Sequence, residues 1–568
     1  MNTAVITRSI RYRDYLLLTV MAVGAACGMI YEYLVAHYAG RILGSVDTAV
    51  YGMIGLMVVS MGVGAFYARV IKCPYTGFAW LESIIALIGG AAVLTMAGIF
   101  SIAFILPVQI QHAFGMHESI ELQGGLIFVI RQIAEAFPYI IGFLLGFFIG
   151  MEIPFIARIR EDLYADTLKH NAGTVYGVDY IGGGIGAAIW IFVCLQQPII
   201  VSATLTALLN VVLGAIFLFY FYKKVKRWKL LILLKSGVAL LLIIILINGQ
   251  SWMNALNNML YMDSVVYSKN TKYQNLVITE RANKPGKPSI LQLYINGHLQ
   301  FSSADEIIYH SMLVTPAMMS SARQKNVLIV GGGDGLAARD VFKWNPQHVT
   351  LIDLDPKMIE IFKGLSDDMP QWLSERLTVL NQNSLTDKRL KVINGDAFKV
   401  IENFEIGTDA FDVIIVDLPD PNHPDLNKLY SSYFYSRLSA LLSADGTIVV
   451  QSTSPYHSKK AFLSIGQTMQ TAGLTVDQYH ANVPSFGEWG WSIATKSSIR
   501  PITFIQDFPE DEIRNGFLSK SQITGAFAFS KSFFNQRHEV KANHLNEPTI
   551  YNYHSEGWKK DKGVYDAN

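Results

Sequence analysis

Four aspartates, Asp334, Asp353, Asp396 and Asp417, each follow a short apolar run rich in β-branched residues. Runs of that kind read as buried parallel strands, and in an open parallel sheet ligands bind beyond the carboxyl ends of the strands. Acids at successive strand ends therefore converge on one cleft. A single aspartate in such a place is usually the N-cap of the next helix. Four of them, with Asp420 a few residues on, describe an acidic pocket for a cationic ligand, in which one carboxylate can accept a proton from an amine.

The elements that must position these acids begin at Asn326. Val327–Val330 reads as a strand, breaks into Gly331-Gly332-Gly333-Asp334-Gly335, and is followed by a helical pattern and a second strand ending on Asp353. This is the layout of a βαβ nucleoside site: Gly331 and Gly333 let the backbone approach the ligand, and the later carboxylate accepts from ribose hydroxyls. Asp334 inside the loop would repel a pyrophosphate but attract a cation, which points away from a dinucleotide. Strand and helix then alternate: Leu390–Ile393 before Asn394-Gly395-Asp396, then Asp412–Asp417 before Leu418-Pro419-Asp420-Pro421. A helix at about 429–442, a strand at 446–451, a helix at about 459–472 and a last strand at 490–495 complete a doubly wound, Rossmann-like sheet. Short strands at 261–267, 275–280 and 291–294, with turns at Asn283–Pro288 and Asn296-Gly297, form a small β-domain in front of it, and Asp305 opens a helix that reaches about Ser320.

The chain of 568 residues, 51% hydrophobic and 16% charged, hides two unlike halves behind those averages. Apolar segments at 15–37, 49–69, 78–107, 128–155, 174–195, 198–222 and 229–248 are each long enough to cross a bilayer as helices. The expected organisation is a multi-span membrane domain (1–250), the small β-domain (251–322), the Rossmann-like domain (323–505) and a C-terminal tail (506–568). A formal net charge of +1 and the lack of a basic stripe argue against a nucleic-acid partner. Cys27, Cys73 and Cys194 are scattered in the apolar half and imply neither a disulfide framework nor a metal site. Arg8, Arg11 and Arg13 place the N-terminus in the cytoplasm. Lys235 inside the seventh segment is costly at the bilayer centre, by about 2.5–3.5 kcal/mol. Seven crossings put the second half outside and six keep it in the cytoplasm, where the chemistry favours it; the cytoplasmic side is the one expected. Of the acids in or beside the spans, Glu82 reads as a snorkelling or capping residue at its span's start. Glu32 and Glu152, each after Gly-Met, read equally as structural or as facing a cationic solute path, with Glu135 and Asp179 further members of the set. Gly182-Gly183-Gly184 with Gly186 permits close helix packing.

Gly331–Gly335, Asn-Gly-Asp-Ala-Phe at 394–398, Asp-Leu-Pro-Asp-Pro at 417–421 and Asp-Glu-Ile-Ile-Tyr-His at 305–310 together resemble the spermidine synthase (polyamine aminopropyltransferase) family. Leu429-Tyr430 with Tyr433-Phe434-Tyr435 fits the element after that family's gate loop. The motifs run in order over about 265–500. The apolar half resembles the N-terminal domain of the membrane-bound members, and 506–568 resembles their tails, as in Val540–Asn546.

The resemblance implies aminopropyl transfer from decarboxylated S-adenosylmethionine, a co-substrate, to putrescine, with no cofactor or metal. It implies Asp417 as the base, Asp334 on the donor's ammonium, Asp353 on the ribose and Asp396 on the adenine amino group. Gln274, Tyr309, His310, Asp420 and Gln451 would complete the two substrate pockets. The implied partners are polyamine substrates and membrane lipid; a homo-oligomer is compatible with the sequence but not specified by it. The chain departs from the family pattern at Leu336 (usually Gly), at Ser311 (usually Glu) and at Asp353 (usually Glu). The family's late pocket tyrosine is missing from Val483-Pro-Ser-Phe-Gly-Glu-Trp-Gly490, where Glu488 or Trp489 could take its place. Two rival readings remain at this point: a methyltransferase using intact S-adenosylmethionine, and a non-catalytic polyamine transporter or sensor.

Overall fold

The computed structural model describes residues 2–43, 46–105, 107, 125–164, 171–261, 263–407 and 410–560. It divides into two compact units, Met1–Met262 and Asp263–Asn568. Residues 561–568 of the expected tail lie outside the described set.

The first unit is helical. Seven helical stretches among its described residues are long and apolar enough to cross a membrane: Arg11–Gly40, Val50–Val70, Pro74–Phe104, Ile127–Tyr164, Asn171–Gln196, Ile199–Lys224 and Trp228–Leu256. Close packing is bought with glycine. A Cβ at Gly182 or Gly186 would collide with the carbonyls of Ala22 and Ala26, so this four-residue spacing lets two helices meet backbone to backbone. The expected cationic connections share one end of the bundle: Arg160 pairs with Asp14 at 2.6 Å, Lys224 pairs with Asp162, and Arg158 donates to the carbonyls of Ala68, Ile71 and Lys72. Two sequence expectations need correction. Lys235 does not face lipid: it is buried and donates to Ser83 Oγ at 2.9 Å, so its charge is no reason to exclude the last helix as a span. That helix runs on to Leu260, ten residues past the expected domain boundary at 250. Glu82 does not snorkel; it is fully buried inside the bundle and accepts from Asn210 Nδ2.

The second unit holds two sheets. β1 (Ser264–Asn270), β2 (Asn275–Arg281), β3 (Ile290–Ile295) and β4 (His298–Ser302) form an antiparallel meander in chain order. The second sheet contains β5 (Asn326–Gly331), β6 (His348–Asp353), β7 (Leu390–Asn394), β8 (Phe411–Asp417), β9 (Leu442–Gln451), β10 (Thr475–Val483) and β11 (Gly487–Thr495), in the order β10-β11-β9-β8-β5-β6-β7. β5 to β9 are parallel, and the order reverses between β5 and β8, the switch point where such sheets bind ligands. β10 was not foreseen; it pairs antiparallel with β11, as β11 does with β9. The strand interiors show why this sheet is doubly wound. Val327, Ile329, Val413 and Ile415 enter one apolar cluster with the helix Glu306–Ser320, while Leu328, Val330, Ile414 and Val416 enter another with the helices Ser432–Leu441 and Lys459–Thr471. Both faces of each strand are covered, so the runs are continuously apolar rather than alternating. Tyr267, Leu276, Leu293 and Phe301 of the small sheet belong to the first of these clusters, and the meander thus shares its core with the larger sheet.

Candidate active site

The glycine turn between β5 and the helix Leu336–Phe342 is shaped by its neighbours. Gly331 has φ +88°, Gly332 +69° and Gly335 +80°, values an L side chain resists. Gly331 pairs in register with Asp417, and a Cβ on it would collide with the Asp417 carbonyl. A Cβ on Gly332 would lie 3.3 Å from Asp417 Oδ2, and one on Gly333 2.6 Å from Asp353 Oδ2. The two carboxylates therefore flank the turn from β8 and β6.

Each acid is held differently. Asp417 accepts from the Tyr309 hydroxyl at 2.8 Å. Burial pushes its carboxyl up to about 6; His310 and the Tyr309 bond pull against this, and the charge of Asp334 adds to it. Asp353 accepts from the backbone of Gly333 at 3.1 Å and of Asp355 at 2.9 Å, and burial likewise pushes it up to about 6. Asp334 accepts from Leu336 N at 2.9 Å, and burial raises it too. These three acids surround one turn with a single charged histidine near them. Burial alone would lower His310, but its bond to Glu306 Oε2 at 2.9 Å and the negative charges of Glu306, Asp334 and Asp417 raise it to about 9. Glu306 also takes both terminal nitrogens of Arg339, at 2.7 and 3.0 Å; burial would raise it, but these partners hold it down at about 2.

The remaining expected residues fall into neighbouring groups. Gln451, fully buried at the end of β9, donates to Leu418 O at 2.7 Å, to the Tyr430 hydroxyl at 2.8 Å and to Asp420 Oδ1 at 3.4 Å. Thr453 Oγ1 donates to Asp420 Oδ2 at 3.2 Å, from a backbone with φ +57° that is unusual for a β-branched residue and is held by Gln451 Oε1 on its amide. Gln274 does not reach the glycine turn directly. It donates to Asp355 Oδ2 at 3.1 Å, and Asp355 in turn caps the helix Pro356–Phe362. Asp396 is also a helix cap, accepting from Phe398 N at 3.1 Å, and its other oxygen takes Lys428 Nζ at 2.6 Å. It adjoins Asp353 through Gly395, whose amide donates to the Asp353 carbonyl at 2.9 Å.

Sequence reasoning missed several neighbours. His554, in the C-terminal helix Thr549–Lys560, lies 3.2 Å from Asp420 Oδ2 and is only 7% exposed. Nothing local in the tail marks it, because the contact spans well over a hundred residues. Lys428 and the Glu306–Arg339 pair were missed as well, since they join residues 32 and 33 positions apart that only the folded chain brings together. Of the two candidates for the absent pocket tyrosine, Glu488 pairs with His480 across β10 and β11. Trp489 instead packs on Phe486 with ring centroids 5.1 Å apart; Phe486 and Trp491 pack on Tyr309 at 6.0 and 5.6 Å. The indole N–H groups of Trp489 and Trp491 are buried without a partner among the described residues.

The fold and these groups define a class: a Rossmann-like domain with acidic and aromatic side chains gathered at the carboxyl ends of its parallel strands, in a chain that also carries a unit of long apolar helices. Comparison with known proteins narrows it. Residues 306–506 match the family model described as the spermine/spermidine synthase domain. The chain is 48% identical to a polyamine aminopropyltransferase of Shewanella oneidensis over 97% of this chain and 96% of that protein. It is 31% identical to the polyamine aminopropyltransferase of Oceanobacillus iheyensis, over 94% and 95% respectively. A crystal structure of spermidine synthase with the transition-state analogue AdoDATO is similar at 22% identity and TM-score 0.42, covering 49% of this chain and 89% of that one. The chain belongs to the spermidine synthase (polyamine aminopropyltransferase) family. It is a transferase, working in aminopropyl transfer in polyamine biosynthesis.

Proposed function

We propose that the protein transfers the aminopropyl group of decarboxylated S-adenosylmethionine to putrescine, giving spermidine and methylthioadenosine. The observation that carries this reading is the placement of Asp417, directly beside the glycine turn and bonded to Tyr309, with its carboxyl raised to about 6. A carboxylate tuned toward neutrality is matched to accepting a proton from an amine. In the reaction the lone pair of a neutral putrescine nitrogen attacks the methylene carbon bound to the sulfonium. The C–S electrons return to sulfur as the thioether leaves, and the ammonium proton passes to Asp417. Bringing the two cations together is chiefly a positioning task.

In this reading Asp353 takes the ribose hydroxyls, Asp334 the donor's terminal ammonium, and Asp396 the adenine amino group once Lys428 yields one oxygen. Gly331 and Gly333 give the donor its close approach to the backbone. Tyr309, His310, Asp420, Gln451 and Gln274 shape the pockets, Gln274 through Asp355. The reaction calls for no cofactor beyond the co-substrate. A cytoplasmic catalytic unit belongs to the same reading and stands against a count of seven crossings from a cytoplasmic N-terminus. Protease accessibility of the C-terminus in intact cells decides between them: protection supports the cytoplasmic side, cleavage overturns it.

The experiment that tests the reaction is incubation of the purified chain with decarboxylated or intact S-adenosylmethionine against diamines of graded length. Methylthioadenosine and spermidine in equal amounts, from the decarboxylated donor only, are expected. Methyl transfer from the intact donor without methylthioadenosine would sink the reading, and binding without turnover would favour a transporter or sensor.

A further inference from the structure

The match to the family domain ends at residue 506, yet the chain beyond it returns to the site. Residues 541–548 run over the surface with exposed or half-buried side chains, and Asn543 is the exception: it is fully buried. Every polar group it has is engaged. Its backbone amide donates to Thr468 Oγ1 at 2.9 Å, and its carbonyl accepts from Ser432 N at 2.9 Å. Its side-chain oxygen accepts from Ile550 N at 3.3 Å. Its side-chain nitrogen donates to the carbonyls of Asn427 and Tyr430, both at 3.1 Å. Those carbonyls lie in the last turn of the short helix Pro424–Tyr430, where backbone oxygens run out of partners within the helix.

What Asn543 holds is joined to the start of the same segment. Tyr430 is fully buried; its hydroxyl donates to Pro419 O at 2.8 Å and accepts from Gln451 Nε2 at 2.8 Å. Gln451 Nε2 also donates to Leu418 O and reaches Asp420 Oδ1. Residues 418–423, which directly follow Asp417, belong to no helix or strand, so no ladder of backbone bonds fixes them. Their place is set by ties of this kind, and the chain of ties runs from Asn543 through Tyr430 to Pro419, the residue before Asp420.

We propose that Asn543 is a positioning residue for the acceptor side of the site: through Tyr430 it holds the segment 418–430 so that Asp420 faces the diamine. A primary amide suits the task because it presents two N–H donors and an acceptor on one short side chain. The bonds of Asn543 stand on the geometry alone; the diamine as the ligand they serve rests on the proposed reaction.

The test compares Asn543→Asp and Tyr430→Phe, singly and together, in the solubilised full chain. Asn543→Asp keeps the size of the side chain and the acceptor for Ile550 N, but carries one donor hydrogen at most. It should speed hydrogen exchange over residues 418–432 and leave that of β5 and β8 unchanged. Equilibrium binding of putrescine should weaken about tenfold, the loss of one or two hydrogen bonds, while binding of methylthioadenosine is unchanged. Tyr430→Phe should weaken putrescine selectively too, and the double variant no further than the stronger single one, because the two residues act in series. Unchanged putrescine affinity in Asn543→Asp, equal losses for both ligands, or effects that add in the double variant overturn the proposal. If Asn543→Asp fails to fold, Tyr430→Phe decides alone, and unchanged putrescine affinity there overturns it. Wild-type protein that binds methylthioadenosine but no putrescine refutes the proposed reaction and this role with it. Wild-type protein that binds both, with the variants unaltered, overturns the positioning role alone.

Discussion

The hydroxyl of Tyr309 donates to Oδ1 of Asp417 across 2.8 Å, tying the helix Glu306–Ser320 to the carboxyl end of β8. The bond favours the ionised form of Asp417, while burial and Asp334 favour the protonated form. Tyr309 is itself raised well above its ordinary range by burial and by Asp417, so it stays a neutral donor at any working pH. Activity limited by Asp417 should rise with pH through about 6. Tyr309→Phe removes the stabilisation of the carboxylate, and the rising limb of the pH–rate profile should move to higher pH. An unmoved limb would separate Tyr309 from the proton transfer.

Gly331→Ala should abolish turnover and lower stability. Positive φ at a non-glycine residue costs about 1–2 kcal/mol, and the new Cβ must also displace the end of β8 that carries Asp417. A fall in melting temperature together with loss of donor binding is expected. A stable variant with wild-type kinetics would contradict the close approach of the two strands.

His554 carries a prediction about the acceptor. It holds Asp420 from the C-terminal helix, and a hydrogen bond to a charged group contributes about 1.5–3 kcal/mol. His554→Ala should raise KM for the diamine roughly tenfold, about 1.4 kcal/mol, while KM for the donor and kcat change little. Equal effects on both substrates would mean that the histidine serves only the fold.

The buried Glu306–Arg339–His310 group predicts how stability follows pH. His310 is raised to about 9, so its contribution is full below about 6.5 and is lost as pH climbs through 9. Glu306 is held at about 2, so its contribution is full above about 4.5 and is lost as pH falls toward 2. Glu306→Gln removes one of the two carboxylates paired with the buried Arg339, leaving Asp340 at 2.9 Å, and should cost less than the about 3–5 kcal/mol of a wholly broken buried pair. It should also flatten the decline in melting temperature between pH 7 and 9, and a variant that keeps the wild-type slope would place the titration elsewhere.

Most of the fold was legible because its strands are covered on both faces. Val327–Val330 and Val413–Val416 are apolar without a break, and the acids stand where those runs end. β10 was harder to see: Thr475–Val483 breaks the alternation of a half-buried strand at the adjacent Asp477 and Gln478, both buried against Arg500 and Ser492 rather than exposed. The strand-end rule found Asp334, Asp353 and Asp417, which do flank one turn. It could not tell them from Asp396, whose capping bond and Lys428 partner depend on tertiary contacts. Glu82 and Lys235 were misjudged because hydropathy reads each span alone, and their partners lie on other helices.

The central claim is that Asp417 takes the proton of the attacking amine. The direct test is the rate of methylthioadenosine formation by Asp417→Asn at saturating substrates, measured beside its affinity for the donor. A rate lower by about 10²–10⁴, the usual contribution of a positioned base, with donor affinity within about threefold of wild type, is the predicted result. A variant that keeps the wild-type rate, or one that loses donor binding as completely as turnover, would contradict it.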